Sequence, residues 1–77
     1  MEMKLFIEDM KGYTKTYNNV KKVSIKKIDN KNTLIVNYNA NPILFDNTID
    51  ETIPLNEIKL AFAINLETME EYFRYEK

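Results

Sequence analysis

The chain has no cysteine, no histidine and no tryptophan, and only one serine, one glycine and one arginine among its 77 residues. Each absence closes a route. Without cysteine there is neither a disulfide nor a thiolate metal site. Without histidine the usual general base at neutral pH and the imidazole metal ligand are both missing. Ser24 lies within an apolar-alternating stretch with no base beside it, so a nucleophile has no activator. Arg74 is the lone arginine, and the other basic residues are lysines, which meet phosphate as point charges rather than as a fork. No apolar run approaches the ~20 residues of a membrane-spanning helix. The opening MEMKLFIEDM carries acids inside its apolar segment, unlike a cleavable leader. Together these absences predict a soluble, cytoplasmic protein that is not an enzyme, with no cofactor, no metal and no membrane association.

What is present predicts one small folded domain spanning residues 1–77. The composition is 44% hydrophobic and 30% charged, ordinary for a globular chain. A core this small leaves a margin of roughly 3–5 kcal/mol, and with no disulfide or metal to add to it, self-association is the remaining common support. The net charge of −1 hides an asymmetry. Residues 1–38 carry eight lysines against four acids, whereas residues 39–77 carry three basic residues against eight acids. The abundance of Lys, Asn and Ile is what AT-rich codons favour and points to a low-G+C bacterium or its phage.

The first half reads as strands. MKLFIE (3–8) alternates Met3, Leu5 and Ile7 against Lys4, Phe6 and Glu8. Gly12 follows as a turn residue needing positive φ. YTKTY (13–17) suits a pleated surface, and Asn18-Asn19 reads as a second turn. KKVSIKKIDNKNTLIVNYN (21–39) predicts a β-hairpin turning at Asp29-Asn30-Lys31-Asn32, with a bulge near Lys26-Lys27 because Ile28 falls out of phase. Pro42 and Pro54 bracket a segment in which Ile43-Leu44-Phe45 and Thr52-Ile53 predict short edge strands. DNTIDETIPLNE (46–57) departs from a calcium loop, with Glu51 where a glycine is needed and Pro54 at the ninth place, so no metal is assigned.

IKLAFAINLE (58–67) satisfies two periods at once. It alternates as a strand, yet it opens a run without Gly or Pro in which Ile58, Phe62, Leu66, Met69 and Phe73 share one helical face. Asn56 suits an N-cap, Glu57 suits the positive end of the helix dipole, and Ala61 and Ala63 favour helix over strand. The expected fold is therefore α+β: a small antiparallel sheet of four to five strands packed against one C-terminal helix. The alternative is an all-β roll with a short C-terminal helix.

On the helical reading Leu60, Ile64, Thr68, Glu71 and Tyr75 form a second row that a small sheet cannot also cover. That row, with the acidic residues Glu67, Glu70 and Glu71 and the aromatic Tyr72, predicts a protein-binding surface. Asp46, Asp50, Glu51 and Glu76 extend the negative character. Such a surface suits a partner with a basic, nucleic-acid-binding groove, as small phage inhibitors of host defence nucleases do by analogy. The predicted function is a non-catalytic protein-interaction module, a phage or mobile-element accessory or inhibitor protein acting by surface occupancy, with a homodimer as a further expectation. The alternative is a small nucleic-acid-binding module that uses Lys15, Lys21, Lys22, Lys26 and Lys27 on a sheet face. The negative net charge and the scarcity of arginine weigh against it.

Overall fold

Alternation of small and large side chains, not helical periodicity, governs the second half of the chain. The computed structural model describes residues 2–41, 43 and 47–77. They form one antiparallel sheet of six strands: β1 (Met3–Asp9), β2 (Thr14–Ile28), β3 (Lys31–Asn39), β4 (Thr48–Pro54), β5 (Ile58–Asn65) and β6 (Glu71–Glu76), in the order β4-β3-β2-β1-β5-β6. A short 3-10 turn over Leu55–Glu57 joins β4 to β5. The expected C-terminal helix is absent among the described residues, so the α+β expectation is corrected to an all-β half-barrel. The all-β alternative fits, except that residues 71–76 are strand where it placed a short helix.

The curl comes from β2, which serves two neighbours in turn. Its first part pairs with β1 (Leu5 opposite Tyr17, Met3 opposite Val20), and its second part pairs with β3 from Val20–Tyr38 to Ile28–Lys31. Each ladder carries one bulge where the two parts meet. Asn18 and Asn19 together oppose Lys4, and Lys21 is an extra residue against β3. Asn19 holds φ 55, a conformation asparagine tolerates better than most residues. The pair read as a turn in sequence is thus a bulge in a continuous strand, and the bulge expected at Lys26-Lys27 is absent, since pairing there is regular. Bulges bend a strand and increase its twist, so these two fold one half of the sheet over the other.

The turns follow side-chain chemistry. Asp29 and Asn30, at φ 50 and φ 64, make a two-residue hairpin turn, tighter than the four residues expected. Between β1 and β2, Asp9 Oδ1 accepts the amides of Lys11 and Tyr13, both at 2.9 Å, and Gly12 takes φ 91. An added Cβ at Gly12 would meet nothing within 4 Å, so only the backbone angle resists substitution. Gly12→Ala is expected to lower stability by about 1 kcal/mol, read as a shifted urea midpoint with unchanged slope.

The concave face holds the core. Met3, Leu5 and Ile7 of β1, Tyr17 and Val20 of β2, Leu34 and Val36 of β3, Leu55 of the 3-10 turn, and Ile58, Ala61 and Ala63 of β5 are buried together. Residues 66–70, expected to be mid-helix, form the β5–β6 loop instead. The Asn65 side-chain oxygen accepts the Glu67 amide at 2.9 Å, its carbonyl accepts the Met69 amide at 2.7 Å, and Met69 sits at φ 62. A single helix-like turn forms and is ended at once by the left-handed residue. The expected strand at Ile43-Leu44-Phe45 falls largely outside the described residues; Ile43 itself is exposed in a turn.

Candidate docking face and polar cleft

β5 carries its bulky residues on the side away from the core. Across the concave face the pairing sets Leu5–Ala63–Phe73 and Ile7–Ala61–Tyr75 in rows, so alanines lie between large neighbours where side chains converge. Across the convex face the same register sets Thr16–Phe6–Phe62–Arg74, Lys4–Ile64–Glu71 and Thr14–Glu8–Leu60–Glu76. Phe6 and Phe62 stack with ring centroids 5.0 Å apart, and the Lys4 ammonium and Arg74 guanidinium each stand 5.5 Å from a ring of that pair. Phe6, Leu60, Phe62 and Ile64 are half-buried by one another and by their charged neighbours. No second layer of the chain covers them among the described residues. A shallow depression of about 290 Å³ runs between Phe6, Glu8, Thr14, Thr16, Leu60 and Phe62.

The charge around this apolar patch is not balanced. Arg74 is held by Glu71 at 2.7 Å and also by Glu76, which fix its guanidinium beside Phe62 and raise its already high pKa. With that cation matched, Glu8 and the loop residues Glu67 and Glu70 leave the β5–β6 side acidic, while Lys4 and, at the border of the depression, Lys15 place positive charge on the β1–β2 side.

The concave face opens into a polar cleft between the two halves of the bent sheet. β2 and β4 are not neighbours in the sheet, yet the curl brings Lys15 Nζ to 3.3 Å from Glu51 Oε1. Tyr38 donates its hydroxyl to Glu51 Oε2, also at 3.3 Å. Lys15 Nζ stands 4.7 Å from the centre of the Tyr17 ring, and Tyr17 meets Tyr38 edge-on at 5.2 Å. Tyr17 is 3% exposed, and its hydroxyl stands close to Lys15 and Glu51 without making a hydrogen bond of normal geometry to any of the described residues. Burial pushes the Tyr17 phenol up, as it does that of Tyr38. For Glu51 burial acts upward too, but the Tyr17 hydroxyl, Lys15 and Tyr38 together favour the charged carboxylate and hold it below its ordinary value. Lys15 is raised, first by the Tyr17 hydroxyl and, past an opposing burial effect, by Glu51.

These shifts fix the sign of a pH dependence. A lowered carboxylate adds stability that is present above its ordinary pKa of 4.5 and lost as pH falls through the folded value. A raised ammonium adds stability that is present below its ordinary 10.5 and lost as pH rises through the folded value. Glu51→Gln is therefore expected to narrow the stability difference between about pH 7 and about pH 3, as read by urea midpoints at both. The effect will be a fraction of a kcal/mol, because the Lys15 side chain is 61% exposed and solvent screens the pair.

The residues singled out in sequence are dispersed by the strand geometry. Leu60 and Ile64 lie on the convex face, with Glu71 beside Ile64. Glu67, Thr68 and Glu70 belong to the β5–β6 loop, Tyr72 is an exposed bulged residue opposite the Ala63–Ile64 step, and Tyr75 turns inward against the core. The single helical row they were expected to form does not exist. Among the lysines, Lys22 and Lys26 share the convex face of β2 with Ser24, Lys27 points the other way, Lys21 is the bulged residue, and Lys15 is paired in the cleft. Asp46 lies outside the described residues. The sequence pattern missed Phe6 and Phe62, although Phe6 stands out of phase with Met3, Leu5 and Ile7 in MKLFIE, a signal that it faces away from the core.

No protein-family model, curated protein or solved structure matches the chain. No helix of the described residues is long and apolar enough to cross a membrane.

Proposed function

We propose that the chain is a non-catalytic protein-interaction module that docks an unlike partner protein through the convex face of β1, β5 and β6. The observation that carries this is the reversed alternation of β5: Leu60, Phe62 and Ile64 face outward and join Phe6, while Ala61 and Ala63 face the core. Large apolar side chains gathered on an uncovered sheet face are stabilised by a partner that removes them from water. The rim supports a partner with a basic surface over a second copy of this chain. A face-to-face dimer would bring the acidic β6 sides of two copies near each other, a repulsion that an unlike, basic partner turns into attraction. Aromatic and arginine side chains at the centre, here Phe6, Phe62 and Arg74, are the residue types that anchor such interfaces. Acting by occupying a partner's surface is how an accessory or inhibitor protein of a phage or mobile element works, and the Lys-, Asn- and Ile-rich composition supports that setting.

The test is Phe6→Thr with Phe62→Thr, since threonine keeps strand preference while removing the apolar contact. Affinity capture with the wild-type chain is expected to retain a stoichiometric protein whose purified form rebinds, with affinity falling as salt rises. The double variant, shown folded by its NMR spectrum, is expected to lose at least about 100-fold in affinity, or ~2.7 kcal/mol. A doubled mass in sedimentation that vanishes in the variant would assign the face to a second copy and overturn the reading. So would a captured partner whose affinity ignores both substitutions.

A further inference from the structure

We propose that the concave cleft is a second binding site, one that takes an alkylguanidinium group, and that Lys15 is an internal stand-in for that ligand. The cleft has a volume of about 420 Å³. Its walls combine Ile7, Ile53 and Ile58 with Tyr13, Tyr17 and Glu51, and Asp9 and Glu57 stand at its margin. Three carboxylates against one ammonium give it a negative field.

A cluster of acids alone would say little. Tyr17 adds the independent observation: a hydroxyl on a side chain 3% exposed, with no hydrogen bond of normal geometry among the described residues, close to the Lys15–Glu51 pair that lines the same cleft. Leaving such a group without a well-formed hydrogen bond is unfavourable, so its lone pairs favour a better-placed donor that enters. Lys15 is a poor permanent occupant. Its contact with Glu51 is long, at 3.3 Å, and most of its side chain is in water. A guanidinium does each of its tasks better. It is more weakly hydrated, it stacks flat on a tyrosine ring, and it has enough N–H groups to donate to Glu51 and to Tyr17 Oη together. The apolar walls then cover the alkyl stem. When the ligand enters, the Lys15 ammonium swings into solvent, where it loses little. The site lies on the other side of the sheet from Phe6 and Phe62, although Thr14 and Lys15 of β2 border both, and it does not depend on the function proposed for the convex face.

The experiment is a titration of the full chain, followed by backbone and tyrosine-ring NMR shifts, with N-acetyl-arginine methylamide as the probe. Its uncharged citrulline analogue and sodium acetate are titrated in parallel. The arginine probe is expected to shift Ile7, Tyr17, Glu51, Ile53 and Ile58 saturably, while the citrulline probe does not. Glu51→Gln is expected to weaken binding about tenfold, and Lys15→Gln to tighten it several-fold by removing the internal competitor. That rise distinguishes a cation site from an anion site, which Lys15→Gln would abolish. If the blocked amino acid saturates the cleft, the ligand is a free small molecule. If only an arginine within a short peptide does so, the ligand is a protein side chain. Both results support the guanidinium site. The proposal is overturned if neither form shifts the cleft, if acetate does so instead, or if Lys15→Gln weakens the arginine probe.

Discussion

Replacing Ala61 and Ala63 together by leucine is expected to leave the protein largely unfolded under conditions in which the wild type is folded. Both alanines are fully buried, and each sits between large side chains in a row across the concave face, Ala63 between Leu5 and Phe73 and Ala61 between Ile7 and Tyr75. A leucine at either position must push aside the large side chains on both sides of it, and overpacking at one such site is destabilising by about 1–3 kcal/mol. The two sites are flanked by different residues on adjacent rows, so their costs roughly add and together consume most of the roughly 3–5 kcal/mol available to a domain this small. The intervening residue behaves differently. Phe62→Leu, on the convex face, keeps an apolar contact with Phe6 and is expected to lower stability by no more than ~1.5 kcal/mol. Urea unfolding of the three proteins checks the contrast. A double leucine variant as stable as the wild type would mean that β5 does not present its alanines to the core, and the docking face deduced from its opposite side would fall with it.

The same two alanines explain why the C-terminal third reads so differently in sequence. Alanine is the best helix former and a weak strand residue, so its presence between Leu60, Phe62 and Ile64 tips local propensity toward helix. What decides for a strand is not local. Residues 58–65 have an edge to pair with, β1, and the pairing satisfies backbone groups and core geometry together. The Asn65 side chain, bonding to the next amides in the chain, then ends the segment where a helix would have to continue. By contrast, the strand at 3–8, the turn at Gly12 and the hairpin through Asp29-Asn30 depend on near neighbours and were legible. Leu60 and Ile64 do lie away from the core, but their companions are Phe6 and Phe62 rather than Thr68 and Tyr75. Nothing in the sequence signals the cleft: Lys15 and Glu51 are 36 residues apart and meet only because β2 is bent.

That bend yields the second large effect. Tyr17, Val20 and Val23 all face the core, three residues apart each time, a spacing that a regular strand cannot put on one side. The extra residues at Asn18-Asn19 and at Lys21 reconcile it. Deleting Asn18 and Asn19 together makes Tyr17 and Val20 adjacent and so puts them on opposite faces, and since a change of phase moves a whole strand segment to the wrong side, cooperative unfolding is expected to disappear. Deleting Asn19 and Lys21 together restores simple alternation through Tyr17, Val20 and Val23 but removes both bulges. The strand then runs straight, and β3 and β4 are no longer carried over β1. This double deletion is expected to keep a far-ultraviolet strand signal while losing its sharp thermal transition and binding a hydrophobic dye, because the concave face is left open. Asn19→Gly, which keeps the residue count and accepts φ 55, is expected to fold normally. If the Asn18-Asn19 deletion melts like the wild type, the residue count at the bulge does not set the phase of β2. If the deletion of Asn19 with Lys21 melts like the wild type and still shifts with the arginine probe, the curl that brings Lys15 to Glu51 has another source.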